Sequence, residues 1–160
     1  MEKEKTCKIV FSDIDGTLLT SDGQITEGTK EMILNLEKKG IPFILTSARS
    51  PEGVRVIKRM LGNHAPIIAF CGGLILDNDG NEIYSKMIPL KRALELKAML
   101  DKDFPAVACN TFGGEKWIVD DRDDWREQRE EKIVGFPAEI GSIKDTFETE
   151  GGIHKFLLMG

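Results

Sequence analysis

Residues 9–19 read IVFSDIDGTLL, an apolar run followed directly by two aspartates, a glycine and a threonine. The run at residues 9–11 has no polar alternation, which is typical of a parallel strand buried on both faces. Apolar runs at residues 42–45 and 66–70 have the same character, and amphipathic segments separate the three runs. This alternation predicts an α/β fold with a doubly wound parallel sheet and right-handed crossovers.

Other local signals divide the chain into two regions. Ser50 followed by Pro51 predicts the start of a helix, and Gly62 predicts its end. After residue 73 the pattern becomes that of an α+β region. We expect a hairpin around a turn at 78–80, a helix at 89–100, strands at 106–111 and 116–119, a helix at 123–132 and a strand at 153–159. The predicted domains are therefore residues 1–88, with the parallel sheet, and residues 89–160, an incomplete α+β domain.

Polar groups follow each of the three predicted parallel strands. Ligands on open parallel sheets bind outside the carboxyl ends of the strands, so we expect these groups to share one crevice. Asp13 and Asp15 supply two carboxylates at the first strand. Contacts to a phosphate or substrate are predicted from Gly16 and Thr17 after the first strand, Ser47, Ala48 and Arg49 after the second, and Gly72 after the third.

This combination of groups suits phosphoryl transfer. One carboxylate can attack phosphorus and form an acyl phosphate, while a second can pass protons to the leaving group and then activate water. A magnesium ion can neutralise the repulsion between carboxylate and phosphate. Hydroxyl groups and backbone N–H groups can hold the phosphate oxygens.

The sequence resembles the haloacid dehalogenase superfamily, specifically its Cof-type sugar-phosphatase branch with a Rossmann-like core. The run DIDGTLL at 13–19 matches the first motif of that family, LTSARS at 45–50 resembles its second motif, and AFCGG at 69–73 resembles its Phe-Asn-Gly-Gly segment. The resemblance implies that Asp13 is the nucleophile and Asp15 the general acid/base. It also implies that the Asp13 carboxylate and the Asp15 backbone carbonyl bind Mg²⁺. Cys71 and Ala48 depart from the asparagine and glycine that are usual in this branch.

The resemblance covers the whole chain, but the chain covers only the N-terminal part of the family pattern. Two complete domains would need about 100 further residues. The family's catalytic lysine and its second acidic metal segment are not recognisable here, and Lys155 resembles part of an inner cap strand instead. The sequence is therefore interpreted as a truncated or split member that ends inside its cap.

Three functions remain open at this point. The first is a Mg²⁺-dependent phosphatase that acts on a small phosphorylated metabolite such as a sugar phosphate. The second is a catalytically incompetent fragment that folds, or forms a homodimer through the open cap edge at residues 153–159, and needs its missing half. The third and weaker alternative is a phosphomutase, because aspartyl-phosphate chemistry serves that reaction as well.

Several polar segments have structural interpretations that compete with functional ones. Arg49 can pair with a core carboxylate instead of the substrate. The second Asp-x-Asp-Gly, at 77–80, is interpreted as a hairpin turn. The acidic run at 120–124 could imitate the missing metal segment of a short capless phosphatase, but a solvated helix N-terminus is favoured. The run at 127–132 is expected to be a solvated helix face.

Composition excludes some classes of partner. The chain has 160 residues and a net charge of −5, which argues against nucleic acid and membrane surfaces because both need basic patches. Three cysteines, far apart and odd in number, indicate neither a zinc site nor a disulfide framework. A reducing, cytoplasmic location is therefore expected.

Overall fold

A computed structural model describes residues 7–160, which divide into two compact units. The first unit extends to Tyr84 and the second comprises Ser85–Gly160. The sequence placed this boundary between residues 88 and 89, and residues 1–6 of that predicted first domain lie outside the described residues. The assignment of the two units as a core and a cap stays a prediction.

The first unit alternates strands and helices before it ends in a hairpin. The elements are β1 (Val10–Ser12), α1 (Glu27–Lys38), β2 (Phe43–Thr46), α2 (Pro51–Leu61), β3 (Ile67–Ala69), β4 (Leu74–Leu76) and β5 (Glu82–Ser85). The sheet has the order β1-β2-β3-β4-β5, in which β1, β2 and β3 run parallel and β4 runs antiparallel to β3. The α/β fold class expected from the sequence is therefore confirmed.

Helix α2 begins and ends where its sequence signals predict. Ser50 is the N-cap and its hydroxyl accepts the Gly53 N–H, while Pro51 occupies the first helical position. Gly62 ends the helix with a φ of 71°, in the left-handed region that glycine adopts without steric cost. The buried face, formed by Val54, Ile57 and Leu61, holds the N-terminus of this helix in a fixed place beside the end of β2.

Strand β1 is more exposed than its sequence predicts. Ile9 is 42% exposed and Phe11 is 55% exposed, although the apolar run predicted burial on both faces. Within residues 7–160, β1 lies at one end of the strand order and pairs only with β2. The prediction that β1 is buried on both faces is therefore wrong for the described residues. Burial on both faces needs other elements packed against this edge strand, and the described residues do not provide them.

The second Asp-x-Asp-Gly forms the turn between β4 and β5, as predicted. Asp77 Oδ1 accepts the N–H of Asp79 at 2.9 Å and the N–H of Asn81 at 2.8 Å. Gly80 has a φ of 87°, so the turn needs glycine at this position. The Asp77 carboxylate is therefore used in turn geometry.

The second unit contains two small sheets and three helices within residues 85–160. The elements are β6 (Ile88–Pro89), α3 (Leu90–Asp103), β7 (Ala108–Gly113), β8 (Lys116–Val119), α4 (Trp125–Val134), β9 (Glu139–Ile140), α5 (Ile143–Phe147), β10 (Gly152–Ile153) and β11 (Lys155–Met159). One sheet has the order β11-β7-β8-β9, and the other pairs β10 with β6 in antiparallel register.

The single strand predicted at residues 153–159 is two strands in the structure. Ile153 pairs with Ile88 of β6, whereas Lys155 pairs with Phe112 of β7. His154 lies at the change of partner, and its N–H donates to the Phe112 carbonyl at 2.7 Å. The apolar pattern could not reveal this division because apolar residues stand on both sides of His154.

The core of the second unit depends on a close approach between a glycine and a phenylalanine. The buried apolar cluster consists of Ala93, Ile118, Ile143, Phe147 and Ile153. A Cβ atom added at Gly113 of β7 would lie 2.6 Å from Cε1 of the fully buried Phe147. Glycine at this position therefore allows α5 to pack against the sheet.

Candidate active site

The first strand ends in a loop that presents two aspartates. Ile14 is fully buried, whereas Asp13 and Asp15 on either side of it are exposed. The Ile14 carbonyl accepts the N–H of Leu18 at 3.0 Å and that of Leu19 at 3.1 Å. Ile14 therefore anchors the loop through its side chain and its backbone and leaves both carboxylates at the surface.

The turn after the two aspartates needs glycine. Gly16 has a φ of 74°, and a Cβ atom placed there would meet nothing within 4 Å. The requirement at Gly16 is thus conformational, since L side chains rarely adopt this φ. Thr17 follows as an exposed residue of the same turn. Both residues lie where the sequence predicts phosphate contacts, and that role stays a prediction.

The second strand delivers Ser47, Ala48 and Arg49. Ser47 is 5% exposed, and its hydroxyl oxygen accepts the Arg49 N–H at 3.2 Å. Its own N–H donates to the Ile68 carbonyl of β3 at 3.0 Å. Ser47 is thus fixed at the end of β2, and its hydroxyl proton is the kind of donor that holds a phosphate oxygen. Ala48 is exposed between its two neighbours.

A two-point ion pair joins the ends of β1 and β2. Arg49 Nε donates to Asp15 Oδ2 at 2.9 Å, and Arg49 Nη2 donates to Asp15 Oδ1 at 2.7 Å. The Arg49 side chain is 13% exposed and that of Asp15 is 58% exposed. The sequence left the partner of Arg49 open between a carboxylate and the substrate, and in this structure the partner is Asp15.

The third strand continues into an unusual backbone segment. Phe70 and Cys71 have φ values of 50° and 55°, which non-glycine residues rarely adopt. The Phe70 N–H donates to the Arg49 carbonyl at 3.0 Å, and the Cys71 N–H donates to the Ser47 carbonyl at 2.9 Å. These bonds tie the segment to the end of β2. Gly72 follows with a φ of 92°.

The structure therefore brings the ends of three strands together by direct contacts. Asp15 contacts Arg49 by side chains, and Ser47 and Arg49 contact residues 70 and 71 through backbone bonds. Sequence reasoning selected Gly72 but missed the left-handed Phe70 and Cys71. Neither residue type signals that conformation, which is commoner for Gly, Asn and Asp.

The residues at the end of β1 fit the chemistry of a magnesium ligand set. Mg²⁺ prefers oxygen donors and is usually bound by one or two carboxylates with waters and substrate phosphates. The Asp15 carboxylate is engaged by Arg49 through both oxygens, so its main-chain carbonyl is the better donor. Within residues 7–160 no cluster of three or more His, Cys, Asp or Glu side chains could hold a metal ion.

The acidic run at 120–124 has structural partners. Asp124 is the N-cap of α4 and accepts the Arg126 N–H at 2.8 Å. Hydrogen bonds from the Arg126 side chain lower the pKa of Asp124 to about 2. Asp120 pairs with Lys97 at 2.9 Å. These contacts support the helix N-terminus that the sequence favoured over a second metal segment.

Lys155 lies in the second unit on β11, as expected for a cap-strand lysine. Its Nζ atom lies 5.6 Å from the centroid of the Phe112 ring, within the range of a cation–π contact. That Lys155 has no catalytic role stays a prediction.

Comparison with known proteins identifies related sequences and folds. The family described as haloacid dehalogenase-like hydrolase matches residues 10–159. A protein named "Putative phosphatase" from Haemophilus influenzae is 36% identical over 124 residues, which are 72% of this chain and 47% of that protein. A protein named phosphoglycolate phosphatase from Thermoplasma volcanium is 38% identical over 74 residues, or 46% of this chain and 33% of that protein.

Solved structures show the same fold. The crystal structure of a haloacid dehalogenase-like hydrolase from Bacteroides thetaiotaomicron matches with a TM-score of 0.76 at 20% identity, covering 86% of this chain and 52% of that one. The chain thus spans about half the length of that protein, and 47% of the Haemophilus relative. No helix among the described residues is long and apolar enough to cross a membrane.

Proposed function

The chain belongs to the haloacid dehalogenase-like hydrolases, and from this premise we propose that it hydrolyses a small phosphate monoester with Mg²⁺ through an aspartyl-phosphate intermediate. The observation that carries the proposal is the two-point contact between Asp15 and Arg49, which joins the aspartates after β1 to the polar residues after β2. It supports the proposal because it brings the loop that carries both aspartates next to Ser47 and Arg49.

The first step proposed is attack of an Asp13 carboxylate oxygen on phosphorus. A bond forms between that oxygen and phosphorus, and the bond from phosphorus to the leaving oxygen breaks. Asp15 gives a proton to the leaving oxygen, so an alcohol departs and an acyl phosphate remains on Asp13. The hydroxyl of Ser47 and the backbone N–H groups of Gly16 and Thr17 hold the phosphate oxygens. The Thr17 N–H would exchange its long, 3.5 Å bond to the Ile14 carbonyl for a phosphate oxygen.

The second step proposed returns the enzyme to its starting state. Asp15, now a carboxylate, takes a proton from a water molecule that attacks phosphorus. The bond between phosphorus and the Asp13 oxygen breaks, which releases inorganic phosphate. Mg²⁺, held by the Asp13 carboxylate and the Asp15 carbonyl, would neutralise the charge repulsion between Asp13 and the phosphate oxygens.

The proposed substrate class is a small phosphorylated metabolite, such as a sugar phosphate. The Thermoplasma relative is named a phosphoglycolate phosphatase. A small phosphorylated acid is therefore one of the substrates to test. We propose a cytoplasmic location as well, because Cys7, Cys71 and Cys109 are all free thiols. Cell fractionation tests the location, and recovery of the protein from an oxidising compartment would contradict it.

Phosphate release from p-nitrophenyl phosphate tests the function. We expect turnover that depends on Mg²⁺ and falls at least about a thousandfold in Asp13→Asn and about a hundredfold or more in Asp15→Asn. Asp79→Asn is a matched control because Asp79 occupies the third position of the second Asp-x-Asp-Gly, where it serves a turn. Equal rates for wild type and Asp13→Asn would contradict the proposal.

A second candidate is a chain that folds and binds phosphate or Mg²⁺ but does not turn over without a further polypeptide segment. It is supported by the absence of a cluster of three acidic, His or Cys side chains among the described residues, and by the share of its relatives that the chain spans. Loss of electrostatic groups from a site typically costs about a hundredfold or more in rate. Efficient turnover by the 160-residue chain would contradict this candidate.

A further inference from the structure

The fork between Arg49 and Asp15 has a role that substrate binding alone does not explain. We infer that Arg49 is a positioning residue: it holds the carboxylate of Asp15 in the plane and direction from which Asp15 exchanges protons with the leaving oxygen. This inference rests on the proposed function for the identity of the step. Its basis is that two nitrogens of Arg49 donate to two different oxygens of Asp15, at 2.9 and 2.7 Å.

Arg49 is fixed before any substrate arrives. Its N–H donates to the Ser47 hydroxyl at 3.2 Å, and its carbonyl accepts the Phe70 N–H at 3.0 Å. A Cβ atom added at Gly53, in the first turn of α2, would lie 3.2 Å from the Cβ atom of Arg49. The Arg49 side chain therefore begins close to that helix. The Arg49 side chain is only 13% exposed, so packing restricts the movement of its guanidinium.

Asp15, by contrast, has little other support. Its side chain is 58% exposed, and it lies in a loop anchored by the buried Ile14. An exposed aspartate that lacked the fork would sample several rotamers in solvent. Arg49, which the β2–α2 connection holds in place, therefore fixes the rotamer of the Asp15 carboxylate. The β1 loop alone does not hold that side chain in one rotamer.

The fork leaves Asp15 able to react. An ionised carboxylate offers about four lone-pair sites, and a two-point contact uses two of them. One site on each oxygen stays available for a proton or a water molecule. The guanidinium is planar, so two parallel bonds define the carboxylate plane, whereas a lysine ammonium at this position would be a point charge without that control.

A positioning role and a substrate-binding role predict different kinetics. A residue that binds the phosphate of the substrate affects every ester, and its loss raises KM. A residue that acts through Asp15 affects esters with poor leaving groups, which need the proton, more than esters with good leaving groups. Its loss has no further effect once Asp15 is replaced.

Steady-state kinetics of the full chain with Mg²⁺ test this difference. The substrates are phenyl phosphate, which has a poor leaving group, and 2,4-dinitrophenyl phosphate, which has a good one. The ratio kcat/KM reports the step in which the leaving group departs and excludes the later attack of water. We therefore expect Arg49→Lys to lower kcat/KM on phenyl phosphate by about tenfold or more, with KM within about twofold and a smaller loss of kcat/KM on the dinitrophenyl ester. In an Asp15→Asn background, Arg49→Lys causes no further loss.

Arg59→Lys is the matched control, since Arg59 forms an ion pair with Glu52 at 2.7 Å on the exposed side of α2. We expect this control to leave kcat and KM unchanged for both esters. Equal losses on both esters with a raised KM for Arg49→Lys, or a further loss in the Asp15→Asn background, would overturn the inference and assign Arg49 to the substrate phosphate.

A measurement without turnover separates failure of this inference from failure of the proposed function. NMR couplings to the Asp15 β-protons report its χ1 rotamer. We expect one rotamer in the wild type and in Arg59→Lys, and rotamer averaging in Arg49→Ala. A wild type without turnover that shows this pattern would contradict the phosphatase proposal alone. An unchanged single rotamer in Arg49→Ala would overturn the positioning role, whether or not the chain is active.

Discussion

Asn110 Nδ2 donates a hydrogen bond to Glu127 Oε1 at 2.9 Å in the interior of the second unit. Glu127 is 2% exposed, and its other carboxyl oxygen has no hydrogen-bond partner among the described residues. Trp117 Nε1 donates to Asn110 Oδ1 at 2.7 Å, so the amide is fixed from both sides. A carboxyl group in this setting favours its neutral form, because an isolated buried charge is costly.

The first prediction concerns pH and Glu127. Burial raises the pKa of Glu127 from 4.5 to about 7, with Asp124 and Glu130 adding repulsion and Arg126 opposing it. Because the folded-state pKa lies above the unfolded one, the stabilisation is fully present below about pH 4.5 and is lost as pH rises through about 7. We expect Glu127→Gln to raise the free energy of unfolding at pH 8 by on the order of 2 kcal/mol.

Urea denaturation of the full chain between pH 5 and pH 8, followed by tryptophan fluorescence, measures the effect of Glu127→Gln. The control is Glu148→Gln, since Glu148 is an exposed glutamate of the same unit. A stability difference between Glu127→Gln and wild type that stays constant across this pH range would be inconsistent with a neutral, buried Glu127.

The second prediction concerns the approach of Gly113 to Phe147. A methyl group at Gly113 would lie 2.6 Å from the Phe147 ring, so Gly113→Ala forces the ring or α5 to move. We expect a loss of about 1 to 3 kcal/mol in the free energy of unfolding. Gly28→Ala is the control, because Gly28 lies in α1 with open space around its Cα; we expect a gain of up to about 1 kcal/mol. Similar effects of the two substitutions in denaturant titrations would refute the packing argument.

The third prediction concerns the left-handed backbone at Cys71. Its φ of 55° and ψ of 33° cost a non-glycine residue about 1 kcal/mol. Cys71→Gly removes that strain, and we expect a net gain in stability of roughly 0.5 kcal/mol after the extra unfolded-state entropy of glycine. Cys71→Ala keeps the Cβ atom, so it should match the wild type within about 0.5 kcal/mol. Thermal unfolding measures both variants, and a Cys71→Gly variant less stable than Cys71→Ala would contradict the strain argument.

The fourth prediction concerns the outer edge of β11. In residues 85–160 this strand pairs only with β7, and Leu158 is 46% exposed. Open strand edges of this kind favour pairing between chains, so we propose a homodimer through β11. Sedimentation should give a dimer for the wild type and a monomer for Leu158→Lys. Ile140→Lys, on the short strand β9 at the opposite edge, should stay dimeric. A monomeric wild type would rule out this dimer.

Sequence patterns predicted the first unit well because its signals are local. Ser50, Pro51 and Gly62 define helix α2 through cap chemistry that depends on neighbouring residues alone. The turn at Asp77 and Gly80 was predictable for the same reason. The carboxyl ends of parallel strands must share an edge, which is why Asp15 and Arg49 could be expected in one crevice.

The features that sequence patterns missed depend on tertiary partners. Glu127 was expected on a solvated helix face, yet it is buried because α4 packs it toward Asn110 of β7. The identity of the Arg49 partner was open, since a guanidinium fits a carboxylate and a phosphate equally. The exposure of Phe11 was not predicted either, because an apolar run alone does not indicate which elements pack against it.

Acid-quench mass spectrometry tests the central claim, that Asp13 is the nucleophile, most directly. The chain is incubated with a phosphate ester and Mg²⁺, quenched in acid and digested, and the peptide that carries the phosphoryl group is identified. We expect a hydroxylamine-labile phosphoryl group on Asp13, absent from Asp13→Asn and present in Asp79→Asn. Phosphate release with no adduct on Asp13, or with the adduct on Ser47 or another residue, would contradict the account.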